Sequence, residues 1–434
     1  MNIEALYEVY QTHPKVIIDS RKVEKGCLFF AICGERFDGN TFAEKALENG
    51  AAFAIIDNPT FKKNDQYILV EDSLKTLQDL AREHRRRFSI PVIAITGSNG
   101  KTTTKELLSS VLAEQYPTHF TKGNFNNHIG VPLTLLEMPE DTVVAVIEMG
   151  ANHVGEIDFL CQIAEPTHGI ITNIGRAHLE GFGGIEGVKK GKSELYKYLE
   201  KKPGMVFINR DESFLEELAI KNSIKLFYLR SDQSHLDVEP YETILISDRP
   251  FLRVSFRGYD DEMIEIQSQL IGEYNFNNIM TAISIGRYFK VPVEAMKKAI
   301  ENYIPTNNRS QLVKKNTNTY ILDAYNANPT SMRHALIHFS KMEANQRIAI
   351  IGSMLELGDY ADSEHENISA FAESLSLDQV VLVGAEFESA AAKNKQPHFE
   401  NTAQLKSWLA AKDFKNTHLL LKGSRGIGLE KVLT

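Results

Sequence analysis

Val92-Ile-Ala-Ile-Thr96-Gly97-Ser98-Asn99-Gly100-Lys101-Thr102-Thr103-Thr104-Lys105-Glu106 is the stretch whose reading decides the fold. Its apolar start reads as a buried strand. A turn of Gly, Ser and Asn follows, and then a helical pattern with apolar residues at Leu107, Leu108, Val111 and Leu112. Strand, glycine loop, Lys-Thr and helix, in that order, form a phosphate-binding loop. Gly97 and Gly100 let the backbone approach an anion with no Cβ in the way. The helix turns its free N–H groups and positive dipole end toward that anion. Ser98, Asn99 and Thr103 belong to the same cradle. Lys101 is placed to reach terminal phosphates, and the Thr102 hydroxyl to ligate Mg²⁺. The usual loop is longer; here only Ser98 and Asn99 lie between the two glycines.

Working outward, the 434 residues imply about two to four domains at roughly 100–200 residues each. Hydrophobic residues make up 43% and charged residues 24%, an ordinary globular balance. The net charge of −9 gives no reason to expect nucleic acid or an acidic membrane as a partner. The basic run His84-Arg-Arg-Arg87 follows apolar residues at helical spacing and reads as a solvated helix end. Three scattered cysteines, Cys27, Cys33 and Cys161, fit neither a disulfide framework nor a zinc site, which points to a reducing compartment. With no basic leader, and no apolar run long enough for a bilayer, the expectation is a cytoplasmic protein.

The alternation of strands and helices predicts an α/β protein of three domains. Residues 1–88 read as a small α/β domain with strands at Val16–Ile18, Cys27–Ile32 and Ala52–Ile56 and a helix from Phe42 to Asn49. Residues 89–305 read as the central phosphate-loop domain, a doubly wound, mainly parallel sheet. Its runs Thr142–Ile147, Gly169–Thr172 and Met205–Ile208 have the continuous apolar character of strands covered on both faces. Thr243–Ile246 and Phe251–Phe256 read as antiparallel strands added to that sheet, followed by helices at 276–288 and 293–302. Residues 306–434 read as a Rossmann-like domain with strands at Tyr320–Leu322, Arg347–Ile351, Gln379–Val383 and His418–Leu421. The junction Ile304–Asn308 is the expected hinge.

In a doubly wound sheet, ligands sit outside the carboxyl ends of the strands. Glu148 ends the strand 142–147 on that edge, where a carboxylate can bind Mg²⁺ directly or through water. His178 lies in the glycine-rich loop after the next strand; such a His is as readily structural as functional. Asn124, Asn126 and Asn127 form a polar loop suited to peptide or sugar recognition or, equally, to turn chemistry. Lys189, Lys190 and Lys192 cluster on a probable helix, a pattern that alone suggests a solvated face.

Taken together these stretches resemble the Mur ligase family along essentially the whole chain. Thr96–Thr104 is similar to that family's shortened phosphate loop. Gly123–Pro132, Glu148–His153, Asp323–Pro329 and Met354–Gly358 resemble the branch that adds a dipeptide. The resemblance implies an ATP-dependent ligase that joins D-alanyl-D-alanine to UDP-N-acetylmuramoyl-tripeptide through an acyl phosphate, in peptidoglycan precursor synthesis. It implies that Glu148 and His178 hold Mg²⁺ and that Lys192 carries CO₂ as a carbamate beside the metal. It further implies that Asn275 and Asn278 lie around the adenine and that Arg309 and Asp323 reach the nucleotide across the hinge. Ser20, Arg21 and the Gly34–Asn40 loop with Asp38 would hold the UDP-sugar. Tyr325, Asn326 and Asn328 would lie near the incoming dipeptide. A monomer is expected. Asn40 stands where many relatives have His, and Ser193 where Gly is common. The alternatives are another ligase of the superfamily, adding the third residue or glutamate to folate, or a nucleotide switch without ligation.

Overall fold

The computed structural model of the chain describes all residues except 35–36, 203, 210–211, 222–224, 230–242, 413 and 434. Four sheets organise the described residues. The first contains β1 (Val16–Ile17), β2 (Leu28–Phe30), β3 (Phe53–Ile56) and β4 (Tyr67–Leu69), all parallel and in chain order. Leu28, Phe30 and Ile55 face the helix Ser73–Arg86, while Phe29, Ala54 and Ile56 face the short helix Ala43–Glu48.

The second sheet contains β5 (Val92–Thr96), β6 (Thr118–Phe120), β7 (Val144–Glu148), β8 (His168–Ile171), β9 (Met205–Asn209) and β10 (Lys225–Leu229). Their order is β10-β9-β8-β5-β7-β6, and every pairing is parallel. Side chains alternate between faces along a strand, and here both faces are covered. Val92, Ala94, Ala145 and Ile147 pack into one core; Ile93, Ile95, Val144 and Val146 pack into another. Burial on both sides is why these runs are apolar without a break. The chain passes from β5 to one side of the sheet and then returns to β8 on the other. The carboxyl ends of β5, β7 and β8 therefore flank the switch point, where ligands bind in such folds.

β11 (Thr243–Ser247), β12 (Arg253–Arg257) and β13 (Met263–Gln267) form a separate antiparallel sheet and do not extend the central one as expected. The central sheet's edge is already taken by β10, which the sequence reading did not identify. Val254, Phe256 and Ile266 instead pack on the same core as the helices Lys101–Ala113 and Phe276–Tyr288. One covered face explains the weaker apolar pattern of these strands.

The fourth sheet contains β14 (Gln311–Lys315), β15 (Asn318–Asp323), β16 (Gln346–Gly352), β17 (Gln379–Val383), β18 (His398–Phe399) and β19 (Thr417–Lys422). Its order is β14-β15-β19-β16-β17-β18, with β14 antiparallel and the rest parallel. At the junction expected to be the hinge, Asn307 and Asn308 both have φ of 58°, and Ser310 just beyond it has 48°. Left-handed residues of this kind are rare outside glycine, and Asn tolerates them best.

The basic run at 84–87 ends its helix but is not wholly solvated. His84 and Arg85 are each 6% exposed. Arg85 donates to Ala164 O at 3.0 Å and Glu165 O at 3.1 Å, and Arg86 pairs with Glu165 at 2.6 Å. The run ties the first unit to the second, where the carbonyls it meets end the helix Glu156–Ala164. Among the described residues, no helix is long and apolar enough to cross a membrane.

Candidate active site

The loop between β5 and the helix Lys101–Ala113 depends on its two glycines. Gly97 has φ of +142° and Gly100 of +79°. A Cβ on Gly97 would lie 2.0 Å from Thr172 Oγ1, and one on Gly100 would lie 2.6 Å from Asn278 Oδ1. Backbone and space together exclude a side chain at both positions. The end of β8 fastens the loop. Ser98 N donates to Asn173 O at 3.0 Å, Asn99 N to Asn173 Oδ1 at 3.0 Å, and Thr172 Oγ1 to Asn99 O at 2.6 Å. Lys101 folds over this loop, its Nζ donating to Gly97 O at 2.7 Å and Ser98 O at 3.3 Å. Enclosure pushes the pKa of its ammonium down, and the nearby Glu148 carboxylate opposes that shift.

Glu148 ends β7 and is 1% exposed. Its Oε1 accepts from Thr102 Oγ1 at 3.1 Å and from Asn126 Nδ2 at 2.7 Å. Its Oε2 is buried without a hydrogen-bond partner. A buried carboxylate oxygen with no donor is costly. A hydroxyl and an unpartnered carboxylate at the mouth of a phosphate loop are the hard oxygen donors that Mg²⁺ takes. Among the described residues, no three His, Cys, Asp or Glu side chains cluster to hold a metal by themselves. Mg²⁺ here would therefore need further oxygens from phosphate, water or a modified side chain. The donor set fits such an ion.

Behind Glu148, Lys105 is fully buried and donates to Thr121 O at 2.7 Å, while Thr121 Oγ1 accepts from Glu148 N at 3.0 Å. Sequence reasoning missed this lysine, although a second Lys four residues after Lys101 lies on the same helix face.

All this opens onto a cavity of about 580 Å³. Of the predicted residues, Ser98, Asn99, Gly100, Lys101, Thr102, Thr103, Asn124, Asn126, Asn127, Glu148 and His178 line it from the second unit. Asn275 and Asn278 line it as well. Asn278 Oδ1 accepts from Thr104 Oγ1 at 2.9 Å, and its Nδ2 donates to Asn275 Oδ1 at 2.8 Å. From the third unit come Arg309, Asp323, Tyr325 and Asn326. The Arg309 guanidinium lies 3.7 Å from the centre of the Tyr325 ring. Lys422, which the sequence reading passed over, is 2% exposed and pairs with Asp323 at 2.6 Å. It leaves an apolar strand at its carboxyl end, the same signal that singled out Glu148. Tyr274 and His334 stack with ring centres 6.3 Å apart and also line the cavity.

Asn127 is a turn residue as well as a lining one, its Oδ1 accepting from Gly130 N at 2.8 Å. Asn328 and Gly97 touch the cavity's residues rather than line it. Asn328 caps the helix Pro329–Lys341 and donates to Asn99 Oδ1 at 2.7 Å. Lys192 lies behind the cavity wall, 1% exposed, with Nζ 3.1 Å from Ala151 O and 5.2 Å from the centre of the Phe182 ring. Burial pushes its ammonium pKa well down, and the Lys101 charge pushes the same way. A lysine so placed is not the solvated one its cluster suggested. His178 meets Glu356 of the third unit through Nδ1, and that hydrogen bond holds the Glu356 carboxyl below the usual range.

Ser20, Arg21 and Asp38 stay in the first unit, away from this cavity. Arg21 is exposed and doubly bonded to Asp19, whose carboxyl it holds at about 2. Glu35 and Arg36 of the Gly34–Asn40 loop lie outside the described residues. Asn40, 2% exposed, braces the first unit: Nδ2 donates to Asp57 Oδ1 at 2.7 Å, and Oδ1 accepts from Asp57 N at 3.1 Å.

Comparison with known proteins defines the class. Profiles described as "Mur ligase family, catalytic domain", "Mur ligase middle domain" and "Mur ligase, glutamate ligase domain" match residues 15–85, 95–286 and 308–425. The chain belongs to the Mur ligase family. It is 35% identical over 429 residues to UDP-N-acetylmuramoyl-tripeptide–D-alanyl-D-alanine ligase of Bacillus subtilis, covering 96% of this chain and 92% of that protein. The crystal structure of MurF from Acinetobacter baumannii superposes with a TM-score of 0.86 at 30% identity, over 100% of this chain and 97% of the other. MurF ligase from Thermotoga maritima in complex with ADP gives 0.83 at 27% identity, over 97% and 96%.

Proposed function

We propose that this chain is the ATP-dependent ligase that joins D-alanyl-D-alanine to UDP-N-acetylmuramoyl-tripeptide in peptidoglycan precursor synthesis. One observation carries the reading. A phosphate loop, a carboxylate with an unpartnered oxygen, and the cations Arg309 and Lys422 of a separate unit all face one cavity. That is the equipment for activating a carboxylate with a nucleotide and screening the charges that meet. The full-length likeness to dipeptide-adding ligases supports the choice of substrates.

In this reading residues 1–88 hold the UDP-sugar through Ser20, Arg21 and Asp38. Residues 89–305 hold ATP, with Asn275 and Asn278 near the adenine. Residues 306–434 complete the site with Arg309, Asp323 and the Tyr325–Asn328 loop. The terminal carboxylate of the tripeptide attacks the γ-phosphate, forming an acyl phosphate and leaving ADP. The neutral amine of the dipeptide then attacks the acyl carbon. The tetrahedral intermediate expels phosphate and leaves the amide. Lys101 and the N–H groups of the helix after it face the terminal phosphates and lower the cost of bringing two anions together. Thr102, Glu148, His178 and a carbamate on Lys192 would hold Mg²⁺, which when bound neutralises phosphate charge. The third unit excludes water from the acyl phosphate as it closes. The free thiols Cys27, Cys33 and Cys161 accord with a cytoplasmic enzyme.

Phosphate release with ATP, the UDP-muramyl tripeptide and a panel of amines tests the assignment. The dipeptide should exceed single D- or L-amino acids by several powers of ten, because a site built to hydrogen-bond the extra peptide unit leaves polar groups unpaired without it. Equal rates with D-alanine alone would assign the chain to another branch. Phosphate release that needs no amine would exclude ligation.

A further inference from the structure

His178 and Glu356 come from different units, yet they meet directly, and each pays a backbone cost to do so: His178 has φ of 53° and Glu356 of 64°. The contact is braced. Glu180 N donates to Glu356 O at 3.4 Å, and Arg176 pairs with Glu364 at 2.5 Å. Gly358, also left-handed at φ +53°, packs so close that a Cβ there would come within 3.0 Å of the Glu180 side chain. The third unit thus grips the loop that carries His178 at several points.

We infer that Glu356 is a positioning residue for His178, so that the metal site of the second unit is completed by the third. The inference rests on the reading of His178 as a metal ligand. A histidine whose Nδ1–H donates to a carboxylate has its lone pair on Nε2, the nitrogen left for a metal. The carboxylate also fixes the ring's direction, and such partners are worth about 10–100-fold in metal affinity or activity. Here the carboxylate arrives only when the third unit is docked on the second. Metal binding and docking are then coupled, and each must favour the other by the same factor.

The test uses the full-length enzyme with ADP and Mn²⁺, with free Mn²⁺ read by electron paramagnetic resonance. Glu356→Ala should weaken Mn²⁺ binding about 10-fold or more, and Glu356→Asp should recover part of the loss. In turnover with Mg²⁺, the concentration giving half-maximal rate should rise, with much of kcat regained at saturating metal. Glu356→Ala should add nothing to the loss already caused by His178→Ala, since it acts through that ring. Equal Mn²⁺ affinity in wild type and Glu356→Ala overturns the inference and leaves the ligand reading of His178 standing. Unchanged Mn²⁺ affinity in His178→Ala overturns that reading and the inference with it. Additive losses in the double variant show that Glu356 acts elsewhere.

Discussion

Lys101→Ala should cut ligation by about 10²–10³-fold, the usual cost of losing one electrostatic group aimed at developing charge, with the fold intact. The reason lies in where Lys101 sits. Its Nζ is held over the loop by the carbonyls of Gly97 and Ser98. Neither is a core contact, so truncation leaves the packing of β5 and the following helix untouched. What disappears is the cation nearest the anion cradle. Glu148 stays behind, buried and with one oxygen unpartnered, and its negative charge then faces the incoming phosphates without the lysine beside it. Thermal unfolding of the variant should match wild type, and its loss should appear in kcat as well as KM, because the charge being stabilised grows along the reaction. Turnover near normal would mean that the loop does not handle the transferred phosphoryl group.

Much of this was legible in the sequence alone. The phosphate loop was, because strand, glycines and Lys-Thr must lie adjacent in sequence to work. Glu148 was, because it leaves an apolar strand at its carboxyl end, and parallel sheets collect those ends at one edge; Asp323 entered only through the resemblance to the Mur ligase family. Lys422 obeys the same rule and was overlooked for want of a partner in sequence: its carboxylate, Asp323, is contributed by the neighbouring strand β15. The place of β11–β13 was not legible, since the pattern of a strand shows how many of its faces are covered, not which sheet it joins. Nor was the burial of Arg85, which depends on carbonyls at the end of a helix in another unit. Asn40 stands where many relatives in the family have His, and its side chain bonds to Asp57 and Asn58, contacts that no local pattern announces.

Lys192→Ala should leave the enzyme nearly inactive, with partial recovery on addition of short carboxylates, whereas Lys189→Ala and Lys190→Ala should stay close to normal. The three lysines share a helix, Ile185–Lys192, but not an environment. Lys189 is paired with Glu186 at 2.7 Å on the surface and Lys190 is exposed. Lys192 is enclosed, its Nζ against one carbonyl and an aromatic face, and the Glu156 and Glu194 carboxylates oppose its burial without outweighing it. An ammonium in such a place is poorly compensated, and the Lys101 charge adds to the penalty, so the neutral amine is favoured. A neutral amine can add CO₂. The product is an anion with two oxygens, which reverses the charge and supplies the ligand type that Mg²⁺ prefers. A small carboxylate diffusing into the space left by Lys192→Ala would stand in for that group, which is why rescue separates a carbamate from a lysine that merely fills volume. Carbon-13 labelled bicarbonate should give a carbamate resonance in wild type that is lost in Lys192→Ala and kept in Lys189→Ala. A bare amine at Lys192 with bicarbonate present, together with an active Lys192→Ala enzyme, would remove the carbamate from the site and leave Mg²⁺ to Thr102, Glu148, His178, phosphate and water.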